Sequence, residues 1–415
     1  MHLLDRRIGQ HIDVALTDTP VVVINGARQV GKTTLVQHLR LRGRTEYVTL
    51  DEAAQRSAAG FDPRSFVERS ADTLVVDEVQ LEPALFRTIK ASVDRDRRPG
   101  RFLLTGSSRL LTAPDMADAL VGRAEVIELW PFSQGELDHG TDAFVDSVFQ
   151  NPAALAAPSA ETRGGYMARI ARGGFPEAVG RAGARRSAWF ESYATTVVQR
   201  VVGEIADIER HAEIPRILRL CAARTATELN VRSLSSDLGI PGRTLDAYLA
   251  HLANVFLIQL VPAWSTNVSS KVVRRPKLLL ADTGLACHLV GARLDRAAGT
   301  EPGSLGPLVE TFVGGEIRRQ LTWSEERPSL WHFRDRGGRE VDYVLEHPDG
   351  RVVGVEVKSS ATVGSRDFGG LRFLEERLGD RFQHGVVLYL GPDAIPFGAR
   401  LSALPLASLW TAPRA

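Results

Sequence analysis

The sequence predicts a multidomain α/β protein, and three observations predict it. β-branched runs alternate with helical segments from the start of the chain to Leu129, the pattern of a doubly wound sheet. A glycine-rich turn, Gly26 to Thr34, joins the first of those runs to a helix. From Pro307 to Ala415 the order reads helix, three strands, helix, strand. At 415 residues the chain exceeds what one hydrophobic core organises, and its 44% hydrophobic and 24% charged residues are those of an ordinary globular protein.

Leu3 to Leu16 carries Leu4, Ile8, Ile12 and Ala15 at helical spacing and predicts a leading helix. Pro20 to Asn25 is a continuous apolar run suited to a strand buried on both faces. Strands follow at Tyr47–Leu50, Thr73–Val76, Arg101–Thr105 and Ala124–Leu129, with a helix at Pro83–Val93. His139 to Gly165 is rich in Ala, Pro, Ser, Thr and Gly and reads mostly as a loop or insertion. Helical patterning resumes at Tyr166 and from Arg186 to Ile208. Glu213 to Leu280 is helical and then strand-like, and Gly291 to Gly306 marks a further boundary. The expected domains are 1–135, a helical lid with an insertion at 136–210, a middle domain at 211–290 and a C-terminal domain at 307–415.

A formal charge of +1 gives no global electrostatic reason to expect nucleic acid or acidic membranes. Cys221 and Cys287 stand apart, which argues against structural zinc and a disulfide scaffold and fits a reducing cytosol. The charged N-terminus does not read as a secretion signal, and no apolar run is long enough to span a bilayer. A soluble, cytoplasmic protein without a membrane partner is therefore expected. Of 51 basic residues only Lys32, Lys90, Lys271, Lys277 and Lys358 are lysines, so a retained lysine carries information.

Gly26-Ala27-Arg28-Gln29-Val30-Gly31-Lys32-Thr33 fits G-x-x-x-x-G-K-[ST]. In such a loop the backbone N–H groups wrap phosphates, Lys32 reaches the β and γ oxygens of ATP, and the Thr33 hydroxyl, with Thr34 beside it, faces a magnesium ion. Glycines are required where the backbone takes conformations that side chains forbid. Leu74-Val75-Val76-Asp77-Glu78 is an apolar strand ending in paired acids. Asp77 would hold the magnesium shell and Glu78 would polarise the attacking water. Leu103-Leu104-Thr105-Gly106-Ser107 ends another strand, where Ser107, with Thr105 as the second choice, could sense the γ-phosphate, place the water or be a turn residue.

Together Gly-Ala-Arg-Gln-Val-Gly-Lys-Thr-Thr at 26–34, Val-Val-Asp-Glu-Val-Gln at 75–80, Leu-Thr-Gly-Ser-Ser at 104–108, Gly-Arg at 122–123 and Gly-Gly-Phe-Pro-Glu at 173–177 resemble bacterial and archaeal P-loop ATPases of the AAA type that carry a C-terminal domain of unknown function. The resemblance implies ATP hydrolysis in the first domain. It implies a charge-neutralising role for Arg123, either toward a neighbouring copy in a homo-oligomer or as a sensor within its own chain. It also implies that Gly174-Phe175-Pro176 lies near the nucleotide. Where the group often has Arg-Asp, this chain has Arg200-Val201.

In the middle domain Leu234–Ile240 followed by Arg243–Leu249 has the cadence of helix, glycine turn, helix, with Val255–Val261 and Lys277–Leu280 as candidate wing strands. This winged-helix-like segment has a local excess of basic residues. Arg243, Arg274, Arg275 and Lys277 are the candidate phosphate contacts for DNA or RNA, the alternative being an internal packing arm. At the end of the chain, Glu340–Leu345 and Gly354–Lys358 are strands in which Glu356 and Lys358 share a face and a neighbouring strand can bring Asp342 beside them. These residues resemble the D…E-x-K site of restriction-endonuclease-like folds, in which Asp342 and Glu356 would hold a second divalent metal and Lys358 would act in catalysis. Glu310 or Glu316 could add a ligand. An ATP-driven machine with a nuclease-like domain, a nucleotide-switched module that engages a protein partner, and a DNA-binding regulator all remain open.

Overall fold

The computed structural model describes residues 4–109, 114–204, 213–265, 274–292, 294, 305–335 and 337–413. Contacts divide the chain into one unit running to Trp130 with Asn254–Phe256 added, and a second of Pro131–Ala253 with Leu257–Ala415.

In the first unit, β1 (Val21–Gly26) is buried along its whole length, as an apolar run at the centre of a parallel sheet must be. It joins β2 (Thr45–Thr49), β3 (Thr73–Asp77), β4 (Phe102–Gly106) and β5 (Ala124–Leu129) in the order β2-β3-β4-β1-β5, every pair parallel. β4 therefore separates the loop-bearing strand from the acid-bearing strand, and the C-terminal ends of all three share one edge. That edge is where open α/β sheets bind ligands. On one face, Val21, Val23, Leu74, Val76, Phe102 and Leu104 pack with Leu85, Phe86, Ile89 and Val93.

Among the described residues six α-helices flank these strands: α1 (Ile8–Asp18), α2 (Lys32–His38), α3 (Ala53–Phe61), α4 (Pro63–Val67), α5 (Ala84–Arg95) and α6 (Pro114–Leu120). Proline in the first turn and the Asp62 carboxylate on the Ser65 N–H start α4.

The second unit opens with α7 (Gln134–Asp138), which Ser133 and Glu136 start with reciprocal side-chain-to-backbone bonds. The segment expected to be a loop, His139 to Gly165, instead contains α8 (Phe144–Gln150). Its Phe144, Val145, Val148 and Phe149 are all buried, a one-sided apolar set that outweighs the loop-like composition around it. Then come α9 (Arg163–Arg172), α10 (Pro176–Val179), α11 (Gly183–Glu204), α12 (Ile214–Ala223), β6 (Thr227–Glu228), α13 (Val231–Leu238), α14 (Gly242–Asn254), β7 (Ile258–Val261), β8 (Lys277–Leu280) and α15 (Thr283–Val290). Gly239, at φ 69°, ends α13 as the expected glycine turn, and the small sheet has the order β6-β8-β7. The side chains of Arg200 and Val201 and the whole of Lys271 lie outside the described residues.

α16 (Leu305–Gln320) leads into β9 (Ser329–Arg334), β10 (Glu340–Glu346) and β11 (Val352–Lys358), which pair antiparallel, and α17 (Gly369–Leu378) carries the chain to β12 (Phe382–Tyr389), parallel to β11. The helix, three strands, helix, strand order is present. Two further strands, β13 (Ile395–Pro396) and β14 (Leu401–Pro405), and the short α18 (Ser408–Thr411) extend it, giving a sheet ordered β13-β14-β12-β11-β10-β9. An isolated bridge, Ala263 to His332, with Trp264 N–H on the His332 carbonyl, carries the small sheet onto β9. It brings β8 towards β10.

Candidate functional site

Gly26 closes β1 against β5 so tightly that a Cβ there would stand 2.4 Å from the Leu129 carbonyl oxygen. The chain then turns through Gln29 at φ 60° and Gly31 at φ 97°, the left-handed region that glycine enters without strain. Ala27 and Val30 are buried beneath the turn, Arg28 is half-buried, and Thr33 and Thr34 are exposed on the first turn of α2. Arg6, ahead of α1, donates to the Val30 carbonyl at 3.2 Å and to the Trp130 carbonyl. Nothing in the local sequence around Arg6 signals this tie.

Lys32 is buried, and its ammonium donates to the carbonyls of Gly26 at 2.9 Å and Ala27 at 3.0 Å, inside the loop itself. Burial lowers its pKa to about 8, and the opposing pull of Glu78 and Asp77 keeps it from falling further. It stays charged at neutral pH. Thr33 Oγ1 donates to Asp77 Oδ2 at 2.8 Å, so the helix and the acid strand already meet.

Three hydroxyls converge on the Asp77 carboxylate: Thr33, Tyr47 at 3.0 Å and Thr105. Tyr47 is in register with Val75 on the adjoining strand and so shares the face of Asp77. Thr105 also accepts the Glu78 N–H at 3.1 Å, so its hydroxyl bridges the two acids. Glu78 has φ 56°, a conformation that costs a non-glycine residue about 1–3 kcal/mol and that clusters at functional sites. Gln80, which sequence reasoning passed over, bridges from its Nε2 to the Glu78 carboxylate and to Ser107 Oγ at 3.0 Å. Ser107 is thus tied to the acid pair through Gln80.

An ammonium, a magnesium-type hydroxyl and two carboxylates at one sheet edge fit a triphosphate with a hard, oxygen-binding cation. Two buried acceptors at the same strand ends, Asn25 Oδ1 and Gln80 Oε1, have no hydrogen-bonding partner among the described residues, as expected where ligand or hydration donors are to complete the set.

Arg123 is placed elsewhere. It immediately precedes β5, which runs parallel to β1, and so stands at the edge opposite Gly26, some 17–20 Å away at about 3.3 Å per strand residue. Its Nε and Nη2 contact the Asp94 carboxylate at 2.6 and 3.0 Å. A sensor role toward its own chain's phosphates is excluded by that distance. Pro176 lies in the second unit, where the adjoining Gly174 donates to Asp282 at 2.7 Å and accepts from Phe132 at 2.8 Å. A Cβ on Gly174 would meet the Phe132 carbonyl, so this glycine has a packing role within its own unit.

The C-terminal residues do converge, with an addition. Asp342 Oδ2 accepts the Val357 N–H at 2.9 Å, and Lys358 Nζ donates to Glu356 Oε1 at 2.9 Å. Glu310, from α16, joins them. Glu316 does not: six residues further along the helix, it faces away, accepts the Gln134 N–H at 2.9 Å and pairs with Arg319 at 3.3 Å. Lys277 was expected on an exposed wing but is buried, and its ammonium bonds Glu310 and reaches Asp342 Oδ1 at 3.3 Å. Burial pushes the Glu310 and Glu356 carboxyls above the usual carboxylate range, while Asp342 and Glu310 outweigh burial and hold Lys277 above its ordinary value. Arg243, Arg274 and Arg275 are exposed, and Arg274 donates to the Arg334 carbonyl at 3.0 Å.

Residues 18–138 match the AAA domain family. That match, with the loop and the all-parallel sheet, supports a P-loop ATPase of the AAA type. Residues 163–296 and 305–409 match two families described as domains of unknown function, DUF8612 and DUF4143. The uncharacterized proteins Mb2031c of Mycobacterium bovis and Rv2008c of Mycobacterium tuberculosis are each 26% identical, over 99% of this chain and 85% of theirs. Among solved structures, the Walker-type ATPase paby2304 of Pyrococcus abyssi aligns with 17% identity over 69% of this chain and 96% of that one, at a TM-score of 0.41. The Thermotoga maritima RuvB branch migration motor aligns with 17% identity over 62% and 90%, at 0.28. No helix among the described residues is long and apolar enough to cross a membrane.

Proposed function

We propose that the AAA domain binds and hydrolyses ATP with magnesium and that its nucleotide state is relayed to the second unit. The observation that carries this is the meeting of Lys32, Thr33, Asp77 and Glu78 at one sheet edge, each already held by named partners. Magnesium, when bound, supplies charge neutralisation to the triphosphate. Lys32 exchanges its two loop carbonyls for phosphate oxygens. Thr33 and Asp77 would hold the metal's shell, and Glu78, positioned by Gln80 and its own left-handed backbone, would orient and polarise the attacking water. Arg123, which stands at the edge opposite its own phosphate loop, is left the role toward a neighbouring copy.

Lys32→Ala is expected to abolish ATP binding and turnover, and Glu78→Gln to abolish turnover while leaving ATP bound, both read by calorimetry and phosphate release. Turnover in the Lys32→Ala protein at the wild-type rate would end the proposal. For the relay, magnesium-ATP should alter amide exchange within residues 131–413 of the wild type and not of the Lys32→Ala protein.

A second reading concerns the far end of the chain. The order and the Asp342, Glu356 and Lys358 set support a restriction-endonuclease-like fold, while the Lys277 ammonium among the acids favours a partner-engaging domain over a cutting one. The order α12-β6-α13-α14-β7-β8 supports a winged-helix-like middle segment in which Arg243, Arg274 and Arg275 remain candidates for phosphate contact and Lys277 does not. DNA binding that weakens with salt and falls in an Arg243→Ala, Arg274→Ala protein would bear that out.

A further inference from the structure

We propose that Lys277 is the resident cation of the nuclease-like acid cluster: its ammonium takes the place of a divalent metal and fastens β8 of the small sheet to the C-terminal domain. The inference deepens the non-cutting reading above and rests on it. It is independent of the nucleotide site.

The geometry is specific. Lys277 Nζ donates to Glu310, to Asp342 Oδ1 at 3.3 Å and to the Asp342 carbonyl at 3.2 Å, with the Tyr343 ring centroid 5.3 Å away. One cation thereby ties α16, β10 and β8 together. Glu356 belongs to the same charge cluster; it is 8% exposed, and its Oε2 has no hydrogen-bonding partner among the described residues. Three carboxylates, Glu310, Asp342 and Glu356, face two ammonium groups, Lys277 and Lys358, which leaves one formal negative charge rather than the surplus a hard divalent ion needs. Among the described residues no group of three or more His, Cys, Asp or Glu side chains is arranged to hold a metal, and here the ammonium stands among the oxygens that would have to do so.

The residue type adds weight. In a chain with 51 basic positions and five lysines, the compact ammonium is kept at a place where a planar guanidinium would present a wider fork. The strand that delivers it is anchored: the β8 residues Leu278, Leu279 and Leu280 are buried and pair with β7, and Lys277 and Leu278 pair with β6 as well. A cation held on such a strand is a fixed part of the fold.

The test uses nucleotide-free full-length protein and Mn2+, counted by paramagnetic resonance. Wild type is expected to hold no Mn2+ that Asp342→Asn removes. Lys277→Ala should gain one Mn2+ per chain, lose it again in the Lys277→Ala, Asp342→Asn double variant, and show a thermal midpoint that rises with Mn2+ while wild type's does not. A wild-type Mn2+ site that depends on Asp342 would overturn the inference, and so would a folded Lys277→Ala protein that gains none. Should Lys277→Ala fail to fold, the wild-type comparison with Asp342→Asn still decides. Mn2+-dependent cleavage of DNA or RNA by wild type, lost in Lys358→Ala, would remove the non-cutting reading itself. A non-cutting wild type whose Lys277→Ala form gains no metal would remove the latch alone.

Discussion

Gln80 is the residue on which the orientation of Glu78 turns, because one amide nitrogen bonds both the acid and Ser107. Gln80→Ala leaves Lys32, Thr33 and Asp77 untouched and releases Glu78 to other rotamers. ATP affinity is expected to hold while turnover falls about ten-fold or more, roughly 1.4 kcal/mol in the barrier. Equal losses in affinity and turnover would show that Gln80 acts on the fold and not on the acid. The loop and acid motifs were legible because their residues are consecutive in the chain and their chemistry follows from spacing. Tyr47 and Arg6 were not, because strand register and a distant segment bring them in, and for Gln80 and Thr105 the residues stood in quoted motifs while their bonds to the acid pair did not follow from spacing. Lys277 was misplaced for a related reason: beside Arg274 and Arg275 it looks like part of a basic wing, and only the pairing of β8 turns it inward. For Arg123 the dipeptide Gly-Arg was visible, but the parallel run of β5 decides which edge it occupies.

At the scale of elements, the buried strands announced themselves, since continuous apolar runs have few alternatives in a protein of this composition. The helix α8 did not, because a two-turn element flanked by Ala, Pro and Gly offers little periodicity. Its weight is nevertheless large. Phe149 is 1% exposed, lies 5.6 Å from the His347 ring and has the Arg351 guanidinium 5.5 Å from its ring centroid, while its carbonyl accepts from Gln383 at 3.3 Å. Ser147 and Val145 tie the same helix to the Pro413 carbonyl at 2.6 Å and to Gln320 at 3.1 Å. Phe149→Ala should therefore destabilise the second unit by about 3–5 kcal/mol, read by urea unfolding, with ATP binding retained. A loss below about 1 kcal/mol would mean that the site collapses onto its neighbours, and that α8 is an ornament on the domain rather than part of its core.

For the whole molecule, a formal charge of +1 means that pH acts on stability through a few buried groups and hardly through net repulsion. Burial lowers His332 and His384 from 6.5 to about 4. A histidine whose folded pKa is depressed contributes stability that is present above 6.5 and is lost as the pH falls towards 4, about 3 kcal/mol for each ring by the size of the shift. Glu316 has the opposite sign. Burial raises it from 4.5 to about 7, so its contribution is present below 4.5 and is lost as the pH rises through 7. Because the two kinds of group oppose each other between pH 4.5 and 6.5, the wild-type curve alone cannot separate them. A difference between two proteins can. His332 Nε2 donates to the Arg275 carbonyl at 3.0 Å and His384 Nε2 shares a hydrogen bond with Ser402 Oγ at 2.9 Å, positions that a glutamine amide can imitate. A protein carrying His332→Gln and His384→Gln should lose less stability than wild type on going from pH 6.5 to 4, the gap between the two unfolding curves widening steadily across that window and staying constant above it. Parallel curves would show that both imidazoles take up their protons in the folded chain as readily as in the unfolded one, and that burial on this sheet does not govern the molecule's acid limit.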